Sequence, residues 1–437
     1  MRRFHLAALA LFMLFSQALR GEEAASVKTY MEKGKVMLEI PDSLLGRTWA
    51  VASAIRATSD AGFGNVGLKD VNGLQFYTFE MADSTLRLRE VSFDFSSSDG
   101  GILAALSSSH TGATVEKFKV KSTQEDKRRY MVDATDFFLS DRKELDPTAS
   151  NPFARQQVKK NYKKDLSYIC GAKSFEDNFS ITVSRSYTYE KKKKDVPFTV
   201  ETVTSFLLLP EEIYHPRTAD PRINFFFTNR SMVEDLNSTS RDVWLVNRWR
   251  LEPSDTAAYR RGEKVEPVKP ITYYIDSAFP EWWKPYIFEA VLAWNEAFGN
   301  IGFKNAVRAL PFPVDDPDFD PENIRYNCIR YAPVAVQNAM GPSWTDPRSG
   351  EILQGDILWW KNVVGLMEGW RYVQTGAAAP AARQTDCPME ILGPMIRHAV
   401  CHEMGHVLGL NHNMGASWSY PADSLRSPSF TRKYGTT

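Results

Sequence analysis

Four of the seven histidines in this 437-residue chain lie close together near its C-terminal end. Two of them, His402 and His406, are four positions apart, so on a helix they share one face and can bind one metal ion. Glu403 follows the first of them, which places its carboxylate to reach a water on that metal rather than the metal itself. Gly409 and His412 complete the pattern H-E-x-x-H-x-x-G-x-x-H. This spacing predicts a metal-activated water with a carboxylate as general base.

Gly409 has a physical role in this pattern. The helix must end and the chain must turn back for His412 to approach the metal from a third direction, and glycine adopts positive φ without a Cβ penalty. Three imidazole nitrogens and a water give tetrahedral zinc with one exchangeable position, which is typical of a catalytic site. We therefore predict one catalytic Zn²⁺ ion bound by His402, His406 and His412, with Glu403 as the general base. The alternative is a helix whose surface histidines match the pattern by chance.

Two further residues of the same segment need interpretation. His398 lies four positions before His402, but Ala399 follows it in place of a glutamate and three ligands already suffice. We therefore expect His398 to orient a ligand or to be packed, rather than to bind the metal. Pro394 predicts that the helix begins or kinks nearby, because proline costs about 3 kcal/mol inside a helix but is tolerated in its first turn.

The secondary structure that must position these residues differs between the two halves of the chain. The first half is β-rich, with turn signals at Asp83-Ser84 and at the basic run from Lys191 to Lys194, which we interpret as a hairpin tip or solvated turn. Beyond Glu252 the pattern mixes strands and helices, one helix opening at Pro280. The strand candidates are residues 35–40, 74–81, 85–95, 115–121, 130–134, 179–189, 198–209, 242–251, 271–275, 324–331 and 352–360, and a further helix is predicted over residues 363–373.

The composition and the N-terminal segment limit which classes of protein this chain can belong to. Lysine plus arginine equals aspartate plus glutamate at 53 each, which argues against a nucleic-acid partner held by a global positive field. Residues 1–18 read as a signal peptide with an apolar segment too short to span a bilayer, and no later stretch is long enough for a membrane span. We therefore expect an exported protein, periplasmic, cell-surface or extracellular. Four cysteines are too few for a disulfide scaffold, and one disulfide with unassigned partners stays open.

The histidine motif resembles that of the metzincin clan of zinc peptidases. More closely, the chain is similar to exported bacterial zinc-dependent metalloproteases with a Met-zincin catalytic domain. The stretches that carry the resemblance are NRWRLEP at 247–253, IDSAFP at 275–280, AMGPS at 339–343, residues 402–417 and YPADSLRSP at 420–428.

This resemblance implies a zinc-dependent endopeptidase acting on a protein or peptide substrate. The fold class it implies is α+β: a β-rich N-terminal region, then a metzincin-like domain with a mixed twisted sheet and an active-site helix. The predicted domains are a signal peptide over 1–18, a small β module over 19–81, a β-rich domain over 82–255 and the catalytic domain over 256–437. Residues 352–360 are expected to form either an edge strand that pairs with an extended substrate or a plain core strand.

One departure from the family pattern shapes the expectations. Metzincins carry a methionine-containing tight turn beneath the zinc, downstream of the third histidine, whereas Met414 is only two residues past His412. The resemblance therefore predicts a chain truncated before the Met-turn, with the C-terminal subdomain missing. Alternatives to an active peptidase are an inactive fragment of one, a non-catalytic exported surface-binding protein with a zinc site, and a metal hydrolase acting on a non-peptide bond.

Overall fold

The computed structural model describes residues 25–60, 66–67, 73–124, 128–148, 159–234, 239–384 and 387–434. The predicted signal peptide lies outside these residues. The chain forms two compact units: unit 1 takes Met1–Ser92, Thr111–Pro210 and Val314–Tyr326, and unit 2 takes Phe93–His110, Glu211–Pro313 and Asn327–Thr437. The predicted domain boundaries after residues 18, 81 and 255 stay predictions.

The described secondary structure mixes strands and helices. The strands are β1 (Lys28–Glu32), β2 (Lys35–Pro41), β3 (Thr48–Thr58), β4 (Gln75–Ala82), β5 (Thr85–Glu90), β6 (Phe95–Ser96), β7 (Thr114–Gln124), β8 (Arg129–Asp133), β9 (Lys160–Tyr162), β10 (Tyr168–Ser174), β11 (Asn178–Lys191), β12 (Lys194–Leu208), β13 (Phe227–Met232), β14 (Arg241–Val246), β15 (Arg248–Trp249), β16 (Ile271–Ile275), β17 (Val307–Pro311), β18 (Asn327–Ala332), β19 (Ala339–Met340), β20 (Ser343–Asp346), β21 (Glu351–Gly355) and β22 (Ile357–Trp360). The α-helices are α1 (Gly100–Ser109), α2 (Thr135–Leu139), α3 (Thr256–Arg260), α4 (Lys284–Leu292), α5 (Trp294–Asn300), α6 (Val363–Thr375), α7 (Met389–Val407) and α8 (Pro428–Tyr434). Short 3₁₀ turns occupy Asp42–Leu44, Lys143–Leu145, Lys164–Leu166, Glu281–Trp283, Pro380–Arg383, Met414–Ser419 and Ser424–Arg426.

Unit 1 is one antiparallel sheet in the order β1-β2-β8-β7-β5-β4-β3-β12-β11-β10, with β9 beside β11. The sheet curls so that its first and last strands meet: the Thr29 N–H donates to Ser174 Oγ at 2.7 Å. The interior of the curl is filled by large side chains, among them Trp49, Phe79 and Phe206, each 1% exposed. The predicted β-rich N-terminal region is confirmed.

Both predicted turns in unit 1 are hairpin tips. Asp83 and Ser84 join β4 to β5 with φ of 48° and 59°, and Lys192 and Lys193 join β11 to β12 with φ of 52° and 61°. Two consecutive residues with positive φ are typical of the tight turns that match strand twist. The basic run is therefore a hairpin tip, as predicted.

Strand β3 is absent from the sequence-based strand candidates, although it lies near the middle of the sheet between β4 and β12. Its sequence, TWAVASAIRAT, holds four alanines, which are depleted in strands on intrinsic preference. The two neighbouring strands complete its hydrogen bonds. Tertiary pairing, rather than local preference, makes this segment a strand.

Unit 2 is built on a sheet in the order β17-β16-β18-β22-β19, in which β19 alone runs antiparallel to its neighbour among the described strands. Two smaller sheets, β14-β13-β6 and β15-β21-β20, accompany it. Helices α4 and α7 share a core with the main sheet, in which Tyr273, Trp359 and Ile396 are completely buried. The predicted helix over 363–373 is confirmed as α6. No described helix is both long and apolar enough to span a bilayer.

The segment 352–360 differs from its prediction as a single strand. It is two strands in different sheets, β21 between β15 and β20, and β22 between β18 and β19. The break falls at buried Asp356, whose Oδ1 accepts a hydrogen bond from the Cys328 N–H at 2.9 Å. Because both strands are flanked on each side, residues 352–360 follow the alternative of a plain core strand rather than that of an edge strand. The edge beside β22 is the short antiparallel strand β19.

Candidate metal centre

Helix α7 carries the first two candidate ligands. His402 and His406 lie on one face with ring centroids 4.7 Å apart. The opposite face anchors the helix, because Val400, Met404 and Val407 are completely buried in the core of unit 2. The pair of imidazoles is therefore presented by a helix whose rotation is set by core packing.

Helix α7 begins at Met389, so Pro394 lies inside the helix rather than in its first turn. Of the two alternatives predicted for Pro394, a helix start is wrong, and a kink stays a prediction. Gly393 admits the Tyr286 ring so closely that a Cβ there would overlap it. Leu392 and Ile396 are buried beside it. This packing stabilises the extra N-terminal turn despite the missing proline N–H.

Helix α7 ends at Val407 and the chain reverses at Gly409, as the spacing predicted. Gly409 has φ of 101°, its N–H donates to the His406 carbonyl at 2.9 Å, and the Leu410 N–H donates to the Gly405 carbonyl at 2.9 Å. These two bonds define a Schellman motif with a left-handed glycine. A Cβ on Gly409 would also overlap the Asn247 carbonyl oxygen. Glycine is thus required here both by backbone conformation and by the close neighbour.

The reversal brings His412 back to the other two histidines. One ring nitrogen from each of the three lies within 4.8 Å of the others, and Nε2 of His402 is 3.1 Å from Nε2 of His412. Nitrogens about 2.0–2.1 Å from one tetrahedral zinc are roughly 3.4 Å apart, so the arrangement has the scale of a metal site. Among the described residues His398 is outside this group, and it is exposed rather than packed.

A hydrogen bond selects which nitrogen of His406 faces the site. Its Nδ1–H donates to the Leu410 carbonyl at 2.9 Å, which leaves Nε2 with a free lone pair. A backbone carbonyl that accepts from the second ring nitrogen is the usual way of orienting a metal-binding imidazole. The reversal at Gly409 therefore also orients the second histidine.

Electrostatics favour neutral side chains at this centre. The pKa of His402 is lowered to about 4, mainly by partial burial of its ring and to a smaller extent by repulsion from the other histidines. The imidazole is therefore neutral at neutral pH. Burial raises the pKa of Glu403, which is only 9% exposed, to about 7. Burial also raises the pKa of the neighbouring Cys401 thiol. A neutral imidazole is the form that binds a metal, and a carboxylate with a pKa near neutrality can exchange protons.

Two indole rings donate hydrogen bonds to the backbone of helix α7, and neither was assigned this role from sequence. Trp249 Nε1 donates to the Val407 carbonyl at 2.8 Å, and Trp294 Nε1 donates to the Cys401 carbonyl at 3.1 Å. The Val407 carbonyl belongs to the last helical turn, where carbonyls lack helical partners. Among the described residues, no two of the four cysteines are joined by a disulfide bond.

A segment far away in sequence runs along the turn that carries His412. The Phe226 N–H donates to the Gly409 carbonyl at 2.8 Å, and the Asn411 N–H donates to the Asn224 carbonyl at 2.9 Å. The Asn224 side-chain amide donates to the His412 carbonyl across 188 positions of sequence. No local pattern in the sequence links these residues to the histidines.

The comparisons with known proteins agree with this geometry in broad terms. A family model described as Met-zincin matches residues 384–437, and a model described as a domain of unknown function (DUF5117) matches residues 69–254. No curated protein and no solved structure matches the chain. Together with the three-histidine group, the Met-zincin match supports a function like that of a zinc metallopeptidase.

Proposed function

We propose that this protein is a zinc-dependent endopeptidase, with His402, His406 and His412 as the metal ligands and Glu403 as the general base. The observation that carries the proposal is the convergence of three ring nitrogens within 4.8 Å of one another. The glutamate next to the first ligand is buried rather than solvated.

The donor set fits zinc. Three imidazoles without a fourth protein ligand in the group leave a position open, as in catalytic rather than structural zinc sites. The hydrogen bond from His406 Nδ1 to the Leu410 carbonyl keeps Nε2 available. This arrangement supports a hydrolase over a binding protein with a structural ion, since structural zinc is normally closed by a fourth ligand.

The reaction follows from what each side chain can do. A zinc ion at the three histidines supplies Lewis acidity, which makes water a stronger acid and polarises a carbonyl. Glu403 takes the proton of the attacking water and later delivers it to the leaving amine. Burial alone holds the pKa of Glu403 near neutrality. A cation at the histidines would lower this pKa, so that the carboxylate is ionised and ready to accept the proton.

The edge of the main sheet supports an extended peptide as substrate. Strand β19 ends the sheet, and Gly341 directly after it lies against α7, where a Cβ would be 2.8 Å from the Glu403 carbonyl oxygen. An extended peptide adds to such an edge through main-chain hydrogen bonds. We therefore propose that β19, rather than residues 352–360, is the edge strand that pairs with an extended substrate. Export of the protein remains a prediction from residues 1–18.

The decisive experiment compares the wild-type chain with Glu403→Gln on an unfolded-protein substrate. The variant keeps the size of the side chain but cannot accept the proton, so we expect turnover to fall at least about 100-fold. Zinc content, measured by atomic absorption, should stay the same. Cleavage by the wild type should also stop with a chelator and return with added zinc. Zinc binding without any cleavage would favour the non-catalytic alternative, and an unchanged rate in the variant would refute the role of Glu403.

A further inference from the structure

The two histidines of α7 and the third candidate ligand are held by different means. The helix fixes His402 and His406 through its own hydrogen bonds and its buried face. His412 is exposed and follows Gly409 in residues 411–413, which form no helix or strand. A metal site needs all its ligands held near their final geometry. The position of His412 therefore depends on what holds this turn.

The segment Asn224–Phe226 contacts the turn in the manner of an added strand. Phe225 and Leu410 form an antiparallel bridge, flanked by the hydrogen bonds from Phe226 to Gly409 and from Asn411 to Asn224. The Phe226 ring lies 5.6 Å from the His406 ring. These contacts run alongside both the second and the third histidine.

We propose that Asn224 is a positioning residue of the metal centre, which holds the His412 backbone in the geometry that binds the ion. Its side-chain amide donates to the His412 carbonyl, while its own carbonyl accepts from Asn411. Two bonds from one residue thus bracket the third ligand. The inference rests on the proposed metal site, and it places part of the region matched by the domain of unknown function, residues 69–254, at that site.

The chemistry of this contact selects an amide at position 224. The His412 carbonyl can only accept, so the side chain must donate, and a carboxylate there would repel it. Asn224 is exposed, so its replacement removes no core packing. A loss of metal affinity in a folded variant would therefore report on ligand placement rather than on stability.

The test measures zinc affinity of the full chain by competition with a chromogenic chelator. For Asn224→Ala we expect affinity to fall about 10- to 100-fold, the usual effect of losing a residue that orients a ligand. The visible spectrum of the Co²⁺-substituted protein should change, because its bands report the arrangement of the ligands. Asn224→Gln, which keeps an amide donor, should retain more affinity than Asn224→Ala.

Asn295→Ala is the matched control. Its amide also donates to a backbone carbonyl in unit 2, that of Val307 at 2.8 Å, but it belongs to no metal-binding group. We expect a lower melting temperature with unchanged zinc affinity and Co²⁺ spectrum.

The outcomes separate the two proposals. Wild-type affinity and spectrum in Asn224→Ala, or equal losses in the alanine and glutamine variants, would overturn the role of Asn224 while leaving the metal site intact. If the wild type binds zinc no better than a variant with His402 and His406 both replaced by alanine, the metal site itself falls, and this inference falls with it.

Discussion

Burial shifts the pKa values of Glu403 and His402 in opposite directions, and both shifts favour the uncharged side chain. It raises the pKa of Glu403 to about 7 and lowers that of His402 to about 4. Each shift favours the uncharged form, as burial does for acids and bases alike. A cation can therefore bind at neutral pH without displacing a proton from His402.

At the residue scale, the ligand assignment predicts that replacing His412 weakens zinc binding and that replacing His398 does not. His412→Ala removes one of the three converging nitrogens, so zinc affinity should fall by more than the roughly 100-fold that loss of an orienting partner costs. His398→Ala removes an exposed ring outside the group and should leave affinity unchanged. Isothermal titration with zinc measures both. Equal affinities in the two variants would contradict the assignment.

Helix α7 serves the centre through its C-terminal end more than through its length. Its last turn provides His406, the Schellman motif at Gly409 and the carbonyl of Val407 that accepts from Trp249. One backbone reversal therefore orients the second histidine and returns the third. A change at this reversal should affect stability and metal binding together.

At the element scale, Gly409→Ala tests that coupling. Alanine at φ of 101° is strained, and its Cβ would overlap the Asn247 carbonyl, so we expect unit 2 to lose about 1–3 kcal/mol and zinc binding to weaken. Gly369→Ala in α6 is the control, because a Cβ there meets nothing within 4 Å. Helix propensity predicts that this control gains up to about 1 kcal/mol. Chemical denaturation with and without zinc distinguishes the two, and effects of the same sign would contradict the argument.

The whole molecule consists of two units with their own hydrophobic cores, and unit 1 also contains a cluster of charges around Asp133. In unit 1, Asp133 at the end of β8 lies between Lys121 at 3.0 Å and Lys35 at 3.2 Å, and it accepts from the Thr135 hydroxyl at 2.6 Å. Burial alone would raise the pKa of Asp133, but the hydrogen bonds from Thr135 and the lysines outweigh it and hold the pKa well below its usual range.

The pH dependence of unit 1 follows from this shift. A depressed carboxyl pKa stabilises the fold above the unfolded value of about 3.9, and this contribution disappears as the pH falls towards the folded value. Asp133→Asn should therefore lower the free energy of unfolding by about 1–3 kcal/mol at pH 7. The gap to wild type should narrow below about pH 4.

Urea denaturation at several pH values, followed by circular dichroism, measures this difference in the free energy of unfolding between variant and wild type. Asp136→Asn is the control, since the Asp136 carboxylate and its partner Lys164 are both solvent-exposed, and it should have little effect at any pH. If the difference in the free energy of unfolding between Asp133→Asn and wild type stays constant down to pH 2, charge is not the source of the stabilisation.

Local patterns in the sequence determined the parts of the protein that depend on near neighbours. Spacing and conformational preference among residues a few positions apart account for three such features. They are the shared helical face of His402 and His406, the chain reversal at Gly409 and the hairpin tips. The short-range bonds that stabilise these features join residues close in sequence, so the chain encodes them wherever it is packed.

The tertiary structure decided the features that depend on distant segments. It made the alanine-rich segment 48–58 a strand, divided 352–360 at Asp356, made β19 the edge of its sheet and brought Asn224 to His412. In each case a partner far along the chain supplies the hydrogen bond or the buried surface. A single sequence has no local signal for such pairings, because they are selected by the burial and hydrogen bonding of the whole unit.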